Sequence, residues 1–228
     1  MAPSPQPPSQ GKSQWDLGRF WQTLDFFEAV PLWSWIQQMF FDAPPPPAPQ
    51  VVNAVVFDFR QATAEMRQVW GALDDVVMGG VSQSSVQLRP DGLLFSGVVS
   101  TENSGGFASV RSRNFEPAID LSAYSGIELT VRGDGQRYKF FMRDGNAWDS
   151  VAYAYSFDTT ADDWVTVRIP FEHMQPVLRA RIVERPPINT RRIHSLQFMH
   201  SKLEYDRALN PHNEAGPFQL LIQTVQVY

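Results

Sequence analysis

The chain has 228 residues, 43% of them hydrophobic, which is enough for one domain with appendages or two small domains around a sizeable core. The absence of cysteine excludes disulfides, thiolate metal sites and a cysteine nucleophile. A formal net charge of −5 argues against a nucleic-acid partner, because that affinity comes mostly from clustered cations that displace counterions.

Residues 1–14 are polar and Pro-rich and read as a disordered lead. They have neither the apolar core of a secretory signal nor the Arg-rich, acid-poor pattern of a mitochondrial transit peptide. Residues 15–42 hold Trp15, Trp21, Trp33 and Trp35. Here Leu17, Phe20, Trp21, Leu24 and Phe27 fall at helical spacing, with Asp16, Arg19, Asp25 and Glu28 largely off that stripe. This predicts an amphipathic helical segment interrupted at Pro31. At about 1.5 Å per residue it reaches only about 24 Å from Trp15 to Val30, short of a bilayer core of roughly 30 Å, so it is not expected to span. Packing on its own domain is the plain expectation. The functional one is a tethered hydrophobic hook for a membrane surface or partner, and Trp15, Phe20, Trp21, Trp33 and Trp35 are its candidate anchors. Residues 43–50 form a semi-rigid polyproline linker.

From Val51 to Tyr228 the pattern changes to short β-branched and aromatic runs. Strands are predicted over 55–59, 93–99, 107–111, 126–131, 138–142, 151–157, 164–169, 193–200 and 218–227. Gly- and Asp-rich turns separate them, and no long helical period intervenes. The economical fold is an antiparallel β-sandwich.

The most distinctive stretch is Trp70-Gly71-Ala72-Leu73-Asp74-Asp75-Val76-Val77-Met78-Gly79-Gly80-Val81-Ser82. Glu102-Asn103-Ser104-Gly105-Gly106-Phe107-Ala108-Ser109-Val110-Arg111 follows, then Val131-Arg132-Gly133-Asp134-Gly135, Ile169-Pro170-Phe171 and Gly216-Pro217-Phe218. In this order the blocks closely resemble the complex I intermediate-associated protein 30 family, over roughly Val55 to Tyr228. The resemblance implies an all-β, antiparallel jelly-roll β-sandwich of galactose-binding-like type, here preceded by the amphipathic helical segment. It also implies a non-enzymatic assembly factor or chaperone that binds protein subunits of a membrane respiratory or photosynthetic complex. A bacterial, cyanobacterial setting would suit a chain without the transit peptide of the mitochondrial members or the dehydrogenase-like fusion of the plant ones. The expected location is cytoplasmic, peripheral at a membrane face.

The residues themselves leave several readings open. Gly79-Gly80 suits a backbone needing positive φ, and Asp74 and Asp75 are ordinary caps for such a turn. Together with Asn103, Arg143 and Trp148 they would alternatively form a ligand rim, and the galactose-binding label invites a carbohydrate or small-ligand module. Arg179, Arg181, Arg191 and Arg192, with Arg185, flank Pro186-Pro187 in an expected exposed loop. They read either as a solvated surface or as a docking patch for an acidic partner, lipid headgroups or an RNA backbone. No catalytic, cofactor or metal site is expected. The four His lack metal-ligand spacing, the serines lack a nucleophile elbow, and no phosphate loop precedes a helix.

Overall fold

The computed structural model describes residues 47–228 apart from Ala62 and Trp148. The lead, the helical segment and the first half of the polyproline linker expected from the sequence lie outside the described residues. What is described is a sandwich of two antiparallel sheets.

In chain order the strands are β1 (Val55–Asp58), β2 (Trp70–Ala72), β3 (Gln83–Arg89), β4 (Gly92–Val99), β5 (Phe107–Ser112), β6 (Gly126–Arg132) and β7 (Arg137–Arg143). They continue as β8 (Ala152–Asp158), β9 (Trp164–Pro170), β10 (Gln175–Leu178), β11 (Arg181–Ile182), β12 (Ser195–Ser201) and β13 (Gly216–Val227). One short helix, α1 (Ala64–Val69), is started by Thr63, whose side chain accepts from the Met66 backbone N–H. The smaller sheet runs β3-β4-β13-β6-β9, with β1 added on β13; the larger runs β11-β10-β8-β7-β12-β5-β2. Each sequence neighbour pair β3–β4, β7–β8 and β10–β11 is a hairpin, while β12 sits between β7 and β5, far away in the chain. That interleaving of local hairpins with distant strands is the jelly-roll pattern.

The core lies between the sheets and follows from period-two alternation. Phe95, Ile127, Leu129, Val131, Ile169, Leu220 and Ile222 from the smaller sheet are fully buried against Val110, Tyr138, Phe140, Met142 and Phe198 from the larger. Trp70 closes one end, with ring contacts to Phe57 at 5.4 Å and Phe198 at 6.0 Å. Burying a side chain of this size contributes about 1.5–3 kcal/mol, so the aromatic end is a main source of stability.

All nine predicted strands are present, with ends displaced by a residue or two. Strands β2, β3, β10 and β11 and helix α1 were not predicted. In β3 the alternation is between exposed and half-buried positions, and only Val86 and Leu88 of Gln-Ser-Ser-Val-Gln-Leu-Arg pack on the core, so the apolar signal is short. The basic loop anticipated around Arg179 is in part a hairpin. Arg179 (φ 51°) and Ala180 (φ 62°) form its turn in the left-handed region without any glycine to announce it.

Candidate binding face

The Asp74-Asp75 block sits where β2 gives way to β3, and both carboxylates point inward. Asp75 accepts from the Ser82 backbone N–H at 3.0 Å and hydroxyl at 2.6 Å, and from the Gly106 and Phe107 N–H groups at 2.7 and 3.3 Å. Asp74 accepts from the Ser84 N–H at 2.8 Å and hydroxyl at 2.5 Å, and from the Ser109 N–H at 3.3 Å. Buried carboxylates are tolerated when their lone pairs are engaged in this way. The glycines belong to the same device. A Cβ on Gly80 or Gly105 would collide with the Asp75 carboxylate, and Gly79 caps the short turn Asp75–Met78 in the left-handed region. The Met-Gly-Gly and Ser-Gly-Gly blocks are thus two halves of one clasp around Asp75. The residues read from sequence as a possible ligand rim lie here as a structural joint. Asn103 (φ 52°) is exposed in the adjoining turn Glu102–Ser104.

Arg143 is elsewhere. It ends β7 and pairs with Ser195 at the start of β12, whereas Phe107, beside the clasp, pairs with Ser201 at the other end of β12. Asp74, Asp75 and Asn103 therefore do not share a rim with Arg143. Trp148, and the anchors Trp15, Phe20, Trp21, Trp33 and Trp35, lie outside the described residues. Arg179, Arg181, Arg185, Arg191 and Arg192 are all exposed, along the edge hairpin β10–β11 and the loop that follows it.

The larger sheet has an outer face, turned away from the core, that is more unusual than its sequence suggests. Register places its residues in rows: Ala154, Phe141, Gln197 and Arg111; then Ser156, Lys139, Met199 and Ser109; with Arg143 beside Ser195 at one end. An outward row on a sandwich is normally wet. Here Phe141, Ala152, Ala154 and Val177 form a second apolar cluster, and Ser109, Ser195, Gln197, Lys139 and Arg111 on the same face are buried as well.

The two ends of this face are charged differently. At the Ser201 end Arg137 and Lys139 both have an acid. Glu204 accepts from Arg137 Nε at 3.0 Å and from the Ser156 hydroxyl at 2.6 Å, and lies 3.9 Å from Lys139 Nζ; Arg137 also holds Asp158 at 2.6 Å. Lys139 further donates to the Leu203 carbonyl and stands over the Tyr205 ring at 5.1 Å. Burial, only partly opposed by Glu204, pulls its pKa down to about 8.

At the Ser195 end Arg143 Nε and Nη1 are buried without a hydrogen-bond partner among the described residues, as are the Ser195 hydroxyl and Gln197 Oε1. Gln197 is held with that oxygen free because its Nε2 donates to the Ser109 hydroxyl at 2.9 Å, which in turn donates to the Leu73 carbonyl. Arg111, across Gln197 in the next strand, reaches Asn114 Oδ1 at 3.4 Å, and burial pulls it down to about 10. Burial, and then the charge of Arg111, hold Arg143 well below the ordinary guanidinium range. Sequence reasoning singled out Arg143 but missed Arg111, Ser195 and Gln197, because in an alternating strand a polar residue signals solvent. Nothing local reveals that the face is covered.

Among the described residues no three His, Asp or Glu side chains gather as a metal site, and no helix is long and apolar enough to cross a membrane. His200 is a core residue between Tyr138 (5.3 Å) and Phe218 (5.2 Å).

Two antiparallel sheets with these strand orders, joined at one end by turn blocks that serve architecture, make a jelly roll of the galactose-binding-like type. The sequence profile of the complex I intermediate-associated protein 30 family matches residues 57–222, most of the chain, and the protein belongs to that family. The sequence matches none of the curated proteins. Among solved structures it is similar to the family 11 carbohydrate-binding module from Clostridium thermocellum in complex with a β-1,3-1,4-mixed-linked tetrasaccharide. That match has a TM-score of 0.53 and 18% identity and covers 76% of this chain and 94% of the module. The same kind of module from the cellulosomal cellulase Lic26A-Cel5E of Clostridium thermocellum matches with a TM-score of 0.52 and 17% identity, covering 75% of this chain and 92% of that one. The agarase AgWH50C matches with a TM-score of 0.50 and 11% identity over 77% of this chain, which corresponds to 26% of the agarase. At these identities the likeness is one of fold.

Proposed function

We propose that the protein is a non-enzymatic assembly factor or chaperone that binds subunits or intermediates of a membrane respiratory or photosynthetic complex, of complex I or photosystem type. The observation that carries this reading is the family match over residues 57–222, in a family named for association with complex I intermediates. The architecture supports it. A rigid sandwich presents a broad sheet face and an exposed arginine-bearing edge, both suited to holding another protein. We place it in the cytoplasm, peripheral at a membrane face, with residues 15–42 contributing aromatic anchors.

The test is a native pull-down from detergent-solubilised membranes with the tagged full chain. Co-purification of subunits from one such complex is the expected result; recovery of none across growth conditions would remove the proposal. A carbohydrate-binding role draws on the fold and on the unpaired polar groups of the outer face. Saturable binding to a glycan array, lost on substituting Trp148, would favour it instead.

A further inference from the structure

We propose that the Ser195 end of the larger sheet's outer face is a receptor for a carboxylate group, with Arg143 as its principal contact and Gln197 as the acceptor for a donor beside that carboxylate. The cations along β7 differ in their partners. Arg137 and Lys139 share Glu204, and Arg137 also has Asp158. Arg143, on the same face of the same strand, has two buried guanidinium nitrogens without a hydrogen-bond partner among the described residues. A buried cation is ordinarily paired, because desolvation is otherwise uncompensated. The cross-strand neighbour Ser195 brings an unpartnered hydroxyl, and Gln197 brings a carbonyl oxygen fixed in place by the Gln197–Ser109–Leu73 chain of hydrogen bonds.

The chemistry of the occupant follows from this set. Arg143 offers donors and a single positive charge to balance, and a carboxylate carries one negative charge on a planar pair of oxygens. A phosphate dianion would bring a second charge and a third oxygen against the lone pairs of Gln197 Oε1. That oxygen calls for a donor, which an amide N–H next to the acid supplies. Phe141, Ala152 and Ala154 line the adjoining surface and suit the methylenes of an acidic side chain. Access is from the loop after β7. Arg143 as a residue is only half-buried, Asp144 and Gly145 are half-buried, and Asn146 and Asn114 at the same rim are exposed, joined by an Asn114 Nδ2 to Asn146 carbonyl bond of 2.8 Å.

The site is independent of which complex the protein serves, so its test uses the purified full chain alone. The arginine Nε–H resonances are followed by NMR during titration with capped glutamate (N-acetyl, N-methylamide), capped glutamine, sodium acetate and inorganic phosphate. Capped glutamate is expected to shift the Arg143 signal saturably and to raise the melting temperature, with the exposed Arg168 unmoved. Capped glutamine should do neither, and Arg143→Met should abolish the response. Gln197→Leu should weaken capped glutamate about tenfold while leaving acetate unchanged. Acetate binding as tightly as capped glutamate would assign the carboxylate to a free organic acid; weaker acetate binding assigns it to a polypeptide. No saturable shift from either acid, an equal shift from capped glutamine, or tighter binding of phosphate would overturn the proposal. Should Arg143→Met fail to fold, Arg143→Lys, which keeps the charge and loses the planar donors, carries the same comparison.

Discussion

Asp75 and Gly106 are 31 residues apart in the chain, yet the Gly106 N–H donates to the Asp75 carboxylate at 2.7 Å. This bond, with those from Ser82 and Phe107, makes the carboxylate a covalently anchored plug at the junction of two turns.

Replacing Asp75 by Ala should leave several buried N–H and O–H donors without an acceptor. The expected cost is about 2–4 kcal/mol, read as a lowered midpoint in urea unfolding with the slope unchanged. Gly105→Ala should be destabilising for the complementary reason, since its Cβ would enter the space of the same carboxylate. Wild-type stability in both variants would show that the clasp is not structural.

His200 makes stability depend on pH. Burial pushes its pKa below the ordinary 6.5, so the unfolded chain takes up a proton that the folded one resists. The group therefore destabilises as pH falls through the unfolded value, and has no effect well above it. Between about pH 7.5 and 5, the stability of His200→Gln should fall less steeply than wild type, by up to about one proton's worth of slope. Identical slopes would remove His200 from the account.

Glu204 sets the charge state of Lys139. In Glu204→Gln the attraction that raises the lysine is lost, so its pKa should drop further below about 8, followed by NMR titration of the side chain. Arg137 keeps Asp158, so the cost in stability should be moderate, about 1–3 kcal/mol. An unshifted lysine would mean that Glu204 is not its partner in solution.

The exposed arginines bear on partner capture. Charge reversal at Arg191 and Arg192 is expected to slow association with a membrane-complex partner and to reduce its salt dependence, with folding unaffected. Deleting residues 1–42 should release the protein from the membrane fraction if that segment is a hook; aggregation of the truncated protein would instead show that the segment covers its own domain. Pull-down yields and association rates across ionic strengths decide both points.

The sequence by itself determined the sandwich. Alternation such as Tyr138 to Met142, and the Gly- and Asp-bearing turns between runs, are local signals of period two, and the ordered blocks carried the family. It also exposed Asp74, Asp75 and the paired glycines as turn chemistry. What only the tertiary structure decided is non-local. Strand β3 is held at an edge by β4 with only Val86 and Leu88 of its half-buried face packed on the core, and a glycine-free hairpin turns at Arg179-Ala180. The outer face of the larger sheet depends on register between β5, β12 and β7, which brings Arg111, Gln197 and Arg143 from distant parts of the chain into one covered region. A polar residue in an alternating strand looks the same whether its face meets water or is buried, because alternation encodes which side a residue points to and not what lies there.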